Sequence, residues 1–194
     1  MPTFGSMRRV LPILAALIAV LFAGRADAYR LEGGRWPTRT ITYYTETPAY
    51  GWSVDTAAYA WNTSGARVQF VRSSRPNARV LIGIRWYKKA GDAHVQRLGG
   101  RFVSAQIGLQ TGHDRYEMAL IVAHEFGHVL GLDHEYGACA TMNPSVGGDH
   151  TTWCPQPPAG DWTCRLLQSD DVRGAVRLYG GTIRAWRGSP FCAR

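Results

Sequence analysis

The chain has 194 residues, 45% of them hydrophobic, which suits one domain with a packed core and leaves no room for several. Lys and Arg number 22 against 14 Asp and Glu, a net charge of +8 that could favour acidic polymers, anionic surfaces or nucleic acid. The basic residues are scattered and no basic cluster interleaved with aromatics stands out, so nucleic acid is set aside and a solvated basic surface is the default.

The first stretch is not part of the domain. Arg8 and Arg9 precede an apolar run from Val10 to Ala23, and Ala26-Asp27-Ala28 forms an A-x-A cleavage site. Residues 1–28 therefore read as a signal peptide and 29–194 as the mature domain. The run is short for a membrane span and Pro12 interrupts it, so no stable insertion is expected after cleavage. Cleavage removes Arg8, Arg9, Arg25 and Asp27, leaving 19 basic and 13 acidic residues and a charge of +6. The expected location is outside the cell or in a periplasm, as a monomer.

From Tyr29 onward strands alternate with a helix. Thr40 to Thr45 is rich in β-branched and aromatic residues and reads as a strand. Ser53 to Asn62 places Val54, Ala57, Ala58 and Trp61 at helical spacing, with Ser53 as the N-cap. Asn62-Thr63-Ser64 matches a glycosylation sequon, which has meaning only in a eukaryotic secretory path. Val68 to Val71, Val80 to Trp86 and Val103 to Leu109 are further strands, and Lys88 to Gly100 reads as a short loop. This order predicts a mixed α/β domain with a largely parallel sheet and one crossover helix, without internal repeats.

The apolar run Met118 to Ala123 leads into His124-Glu125-Phe126-Gly127-His128-Val129-Leu130-Gly131-Leu132-Asp133-His134. On a helix His124 and His128 lie one above the other and reach one ion. A continuing helix would turn His134 roughly 240° away from that ion. The helix must break, and Gly131 allows it, because glycine takes the left-handed conformation at little cost. Three neutral imidazoles with an open fourth position suit one catalytic zinc. Glu125 is placed to take a proton from a water and pass it on, as base and then acid. A bare H-E-x-x-H also occurs by chance on buried helices, but the added Gly and His make coincidence far rarer.

All four cysteines, Cys139, Cys154, Cys164 and Cys192, fall in the C-terminal third. An even count in an exported chain implies two disulfides with three possible connectivities. Zinc ligation is the other reading, though no C-x-x-C pair exists. Ser169-Asp170-Asp171 opens a last helix, where acids favour the N-terminus.

The extended motif resembles that of the metzincin metalloproteases. Ala140-Thr141-Met142-Asn143-Pro144 fits their Met-turn, with Met142 structural beneath the zinc. Ser169 to Gly180 is similar to the last helix of the matrixins, the matrix-metalloproteinase group, and the likeness runs from about Trp36 to Gly180. Glu135 departs toward the astacins, but Pro144 stands where astacins carry Tyr. The resemblance implies a secreted zinc endopeptidase acting on polypeptides, with a twisted mixed sheet and an edge strand above the cleft.

Several further expectations come from that resemblance alone. Val103 to Leu109 would be the edge strand, with Ala105 and Gly108 letting a peptide approach. Leu120 would line the floor of the specificity pocket, with a wall from Asn143 to Gln168 that includes Trp153 and Trp162. Asp170 would hold the ammonium of Tyr29 while Asp171 braces the Met-turn, and both can equally be helix caps. Gln106 stands where a structural-zinc His is expected, so one zinc is predicted, and calcium stays open. The family's inhibitory Cys segment has no counterpart between Ala28 and Trp36, so latency of that kind is not expected. Two other readings are a zinc amidase on cell-wall peptides and a zinc-bearing binding module without turnover.

Overall fold

The computed structural model describes residues 29–85, 89–137, 140–144 and 166–184. The signal peptide, the four cysteines and the pocket wall with Trp153 and Trp162 lie outside the described residues. So does Trp86, the expected end of the third strand.

Among the described residues the elements run in chain order as β1 (Arg30–Leu31), β2 (Thr40–Thr45), α1 (Gly51–Thr63), β3 (Gln69–Arg72), β4 (Val80–Ile84), β5 (Gly91–Leu98), β6 (Arg101–Leu109), α2 (Arg115–Leu130), β7 (Leu132–Asp133) and α3 (Ser169–Tyr179). Five strands form one sheet in the order β3-β2-β4-β6-β5. The β3-β2, β2-β4 and β4-β6 pairs are parallel, and β5 alone is antiparallel, to β6. The mixed α/β class with a largely parallel sheet is therefore as the strand order implied.

Two local expectations need correction. Val103 to Leu109 lies within β6, and β6 is not an edge, because β5 covers its outer side. The supposed loop from Lys88 to Gly100 carries that edge strand. Leu98 and Arg101 are register partners across Gly99 and Gly100, whose φ angles are +57° and +76°. Two consecutive positive φ values make a two-residue hairpin turn that suits the twist of the strands. The strand escaped notice because Gly91 to Leu98 has one β-branched residue, Val95, and a largely exposed outer half. The second correction concerns α1, which starts at Gly51, so Ser53 is not its cap. Ser53 is buried and its hydroxyl donates to the Arg115 carbonyl at 2.8 Å, joining α1 to the start of α2.

The core lies between the sheet and the two long helices. Ile41, Ile82 and Ile107 project from neighbouring strands and are almost fully buried. Phe126 of α2 stacks on Phe70 at 4.2 Å between centroids and meets Tyr43 edge-on at 5.9 Å. Trp61 of α1 is fully buried and donates from Nε1 to the Ala123 carbonyl at 3.0 Å. Residues of this size cost about 3–5 kcal/mol when cut back to Ala. They fix α2 from the side opposite its histidines. Asn62, the sequon residue, binds both backbone groups of Phe70 and ties α1 to β3.

Helix α2 is buried on most of its circumference, as befits a central helix. Asp114 caps it, its carboxylate accepting from the backbone N–H of Tyr116 at 2.7 Å and Glu117 at 2.8 Å.

Candidate active site

Helix α2 ends at Gly131, whose φ is +101° and whose N–H donates to the His128 carbonyl at 2.9 Å. The left-handed turn sends the chain back as β7, which pairs with β1 through Arg30↔Asp133 and Leu31↔Leu132. Glu32 N–H also donates to the Gly131 carbonyl at 2.9 Å. The N-terminal strand thus holds the segment that delivers His134. Any side chain at position 131 would meet the Gly34 carbonyl at 2.6 Å and the Phe102 ring.

The three imidazoles converge. His128 Nε2 lies 3.1 Å from His124 Nε2 and 3.2 Å from His134 Nε2. His124 Nδ1 lies 2.7 Å from the Thr141 carbonyl and His128 Nδ1 2.9 Å from the Leu132 carbonyl. A carbonyl only accepts, so each Nδ1 carries the proton and each Nε2 presents a lone pair. Lone pairs facing one another across 3.1 Å repel unless a cation lies between them. Tetrahedral zinc–nitrogen bonds place two ligand nitrogens roughly 3.3 Å apart. The donor set therefore fits zinc. Burial first, and then the repulsion a protonated His128 would exert, pushes the pKa of His124 down to about 3, which keeps its ring neutral.

Glu125 points into the same cleft. It is buried, and its Oε2 has no hydrogen-bond partner among the described residues. Burial pushes its pKa up to about 7, near the value a general base needs at neutral pH. The start of β5 passes directly over it: a Cβ added at Gly91 would sit 2.5 Å from Glu125 Oε1.

The Met-turn lies under the histidines. Asp171 Oδ1 accepts from Met142 N–H at 3.1 Å, and its Oδ2 accepts from Thr141 N–H at 2.9 Å and Gln168 N–H at 2.8 Å. Helix α3 begins at Ser169, as its acidic start implied; Gln168 is its N-cap, and Asp171 closes a capping box with it. One carboxylate therefore caps α3 and fixes the turn whose carbonyl, at Thr141, orients His124. Met142 Sδ packs so closely on α2 that a Cβ at Gly127 would stand 2.2 Å from it. Asp170 is buried, with Arg173 at 3.5 Å. Tyr29 lies against Gly174 one turn further along α3.

The cleft holds about 410 Å³, and Ile121, Asn143 and Pro144 line it beside the histidines and Glu125. Leu120 is half-buried against the core, and Ile121 is the residue of that turn that faces the described cleft. Ala105 and Gly108 do not face it. They are paired on both sides, Ala105 with Val80 and Val95 and Gly108 with Gly83 and Asp92, so their strand has no free edge for a peptide.

Sequence reasoning missed Glu32 and Gly91. The Glu32 carboxylate reaches His128 Nδ1 at 3.2 Å and pairs with Arg97 of β5. No motif marks it, because its neighbours come from two distant segments, the end of α2 and β5. Gly91 had a weak signal, a glycine eight residues before the Gly99-Gly100 pair.

Three histidines converging at the end of a broken helix, with a buried carboxylate beside them, make the metal site of a zinc-peptidase type of domain. The family model for matrixin, peptidase M10, matches residues 52–180. The chain belongs to the matrixin family. It is 30% identical to the extracellular small neutral protease of Streptomyces caespitosus over 126 residues, covering 63% of this chain and 90% of that protein. It is 30% identical to matrix metalloproteinase-20 of Homo sapiens over 177 residues, covering 78% of this chain and 34% of that protein. To matrix metalloproteinase-9 of Canis lupus familiaris it is 42% identical over 65 residues, 34% of this chain and 7% of that protein. The chain thus spans a third or less of those two larger relatives.

Proposed function

We propose that this chain is a secreted zinc-dependent endopeptidase that hydrolyses polypeptides. The observation that carries the reading is the convergence of three imidazole Nε2 atoms, with those of His124 and His134 within 3.2 Å of His128 Nε2, beside the buried carboxylate of Glu125. Matrixin membership supports it.

His124, His128 and His134 would hold the zinc. When bound, zinc supplies Lewis acidity that activates a water and polarises a peptide carbonyl. Glu125 accepts the proton of the attacking water and returns it to the leaving amine, for which a pKa near neutrality is suited. The Thr141 and Leu132 carbonyls keep the His124 and His128 rings in one tautomer and one orientation.

Substrate would lie along β5 rather than β6. Among the described residues nothing pairs with the outer edge of β5, so an extended peptide can add there through main-chain hydrogen bonds. Leu120 remains a candidate for the depth of the specificity pocket. Export by cleavage after Ala28 would free the ammonium of Tyr29, whose side chain lies beside α3, for the buried Asp170 to receive. The mature protein acts as a monomer.

The test is incubation of purified 29–194, loaded with zinc, with an unfolded protein and a mixed peptide library, read by mass beside Glu125→Ala. Cutting by the parent alone, abolished by a chelator, is the expected result. A folded, zinc-loaded parent that cuts neither overturns the general peptidase reading, and cleavage of peptidoglycan fragments instead would make it an amidase.

A further inference from the structure

On the other side of the C-terminal turn of α2 lies a second cavity, of about 520 Å³, which shares no lining residue with the catalytic cleft. Its base is Trp36 and Tyr179, both buried. Trp36 Nε1 donates to the Val129 carbonyl at 2.7 Å and Tyr179 OH to the Leu130 carbonyl at 2.8 Å, so the base is fixed to the end of the helix. Four arginines stand around it: Arg35 and Arg39 from the segment before β2, Arg101 from the start of β6 and Arg177 from α3. All four are exposed, and none pairs with a carboxylate among the described residues. Among the described residues Arg35 alone of the four has a protein acceptor, the Leu178 carbonyl at 3.0 Å.

Two features set this apart from a solvated basic face. Of the other exposed arginines, Arg72, Arg75 and Arg97 have a carboxylate, Asp55, Glu46 and Glu32 respectively, and Arg30, Arg67, Arg79, Arg85, Arg115 and Arg184 have none among the described residues but do not line this cavity. Here four such side chains from three segments surround one concavity, and among the described residues no acid pairs with them. In addition, Arg35 and Arg101 are direct partners in an isolated bridge, which brings like charges side by side. Such a pair is unfavourable in the empty protein and becomes favourable when an anion lies between.

We propose that this cavity is an anion-binding site for a compact group carrying several phosphate or sulfate esters. Guanidinium forks match tetrahedral oxyanions in pairs of parallel hydrogen bonds. A phosphate ester carries about −1.5 to −2 charges and three acceptor oxygens, so two closely spaced esters balance four arginines inside a cavity of this size. An acidic peptide would have to place four carboxylates in the same space, each with its own backbone. The site would hold the enzyme to a phosphorylated or sulfated saccharide, free or as a lipid headgroup, while leaving the cleft open.

The experiment titrates sucrose octasulfate, a dense sulfate ester with little affinity for zinc, into the zinc-loaded protein in a calorimeter. It compares the parent with Arg39→Gln/Arg177→Gln and with a charge-matched control, Arg75→Gln/Arg79→Gln, placed elsewhere on the surface. We expect one site per chain, a loss of about tenfold or more in the first variant and less than about twofold in the control. Peptide cleavage and the melting temperature stay unchanged in both, since these side chains are exposed and outside the cleft. Vesicles bearing a bisphosphorylated lipid provide the second arm: sedimentation with them, reversed by sucrose octasulfate, assigns the ligand to a headgroup, and its absence assigns it to a soluble ester. Equal weakening in the two variants would reduce the effect to net charge and overturn the proposal. So would the lack of a single-site isotherm, or tighter binding of octaglutamate than of the octasulfate.

Discussion

The floor and the rim of the catalytic cleft are built in different ways. The floor is a continuous piece of chain: α2 brings His124, Glu125 and His128, Gly131 ends it, and His134 follows three residues on. Its geometry comes from helical spacing and one left-handed turn, both local. The rim is assembled from segments far apart. Gly91 of β5 presses on Glu125, Glu32 of the N-terminal segment reaches His128, and Arg97 of β5 joins Glu32. His124, Glu125 and His128 are in place as soon as the helix forms, and His134 needs only the Gly131 turn and the β1–β7 pair, whereas the rim depends on the whole sheet closing correctly. The two regions should therefore fail in different ways.

The largest separation is expected from the floor alone. Glu125→Gln keeps the shape of the side chain and removes the base. We expect kcat for peptide cleavage to fall by about 10²–10⁴, the usual contribution of general acid–base catalysis. Zinc content by atomic absorption should stay at the parent's level. A variant that lost zinc together with activity would show that Glu125 acts by shaping the metal site.

The same variant has a stability signature in the metal-free protein. Burial raises the Glu125 pKa from 4.5 to about 7, so the folded state holds its proton more tightly than the unfolded chain. Stability is lost as pH rises from about 4.5 to about 7, because the folded state must then ionise a buried acid. That cost is on the order of 3 kcal/mol above neutrality, with 1.36 kcal/mol for each pKa unit. His124 has the opposite slope. Its pKa is lowered from 6.5 to about 3, chiefly by burial, and stability is lost as pH falls through that window. Both proteins share the His124 effect, so their difference isolates Glu125. Chelator-treated Glu125→Gln should be more stable than the parent at pH 8 by urea unfolding, with the gap closing by pH 4.5. A bound zinc ion should shrink the gap at pH 8, since a nearby cation favours the carboxylate.

The join between floor and N-terminal segment is tested at Gly131. Gly131→Ala places a side chain at φ +101° and 2.6 Å from the Gly34 carbonyl, a backbone atom that cannot simply rotate away. We expect a loss of about 1–3 kcal/mol in urea unfolding from the forced conformation. Zinc affinity should fall more steeply than stability, because the displaced residue leads directly to His134. Unchanged affinity in a competition titration would show that His134 is held by β1 and β7 without the turn.

What could be read in the sequence follows this division. The three ligands, the helix break and the Met-turn were legible because fixed spacing along the chain produced them. The paired role of Asp171 could be anticipated only through likeness to a known family, since 29 residues separate it from Met142. The edge strand was misplaced because Gly91 to Leu98 has little β-branched content, and its exposed outer half left no hydrophobic alternation to count. Ala105 and Gly108 lie on the internal strand β6, while Gly91, the glycine beside Glu125, lies on the edge strand β5. Gly99-Gly100 was the available signal, since that pair between two candidate strands favours a tight hairpin.

That correction yields the finest test of the rim. Gly91→Ala and Gly100→Ala each add one methyl to the same hairpin. At Gly100 the added Cβ meets nothing within 4 Å, and only the positive φ of +76° resists it. At Gly91 it would meet Glu125 Oε1 at 2.5 Å and Ile121 Cγ2 at 2.8 Å. Gly100→Ala should cost about 1 kcal/mol of stability and leave kcat alone. Gly91→Ala should lower kcat about tenfold, since small displacements of a catalytic group are expensive in rate, with zinc affinity nearly intact. The decisive quantity is the ratio of kcat to stability loss in the two variants. If β5 seats Glu125, Gly91→Ala loses rate out of proportion to stability and Gly100→Ala does the reverse. Equal behaviour would mean that the carboxylate is held by α2 alone and that the rim serves only to bind the peptide.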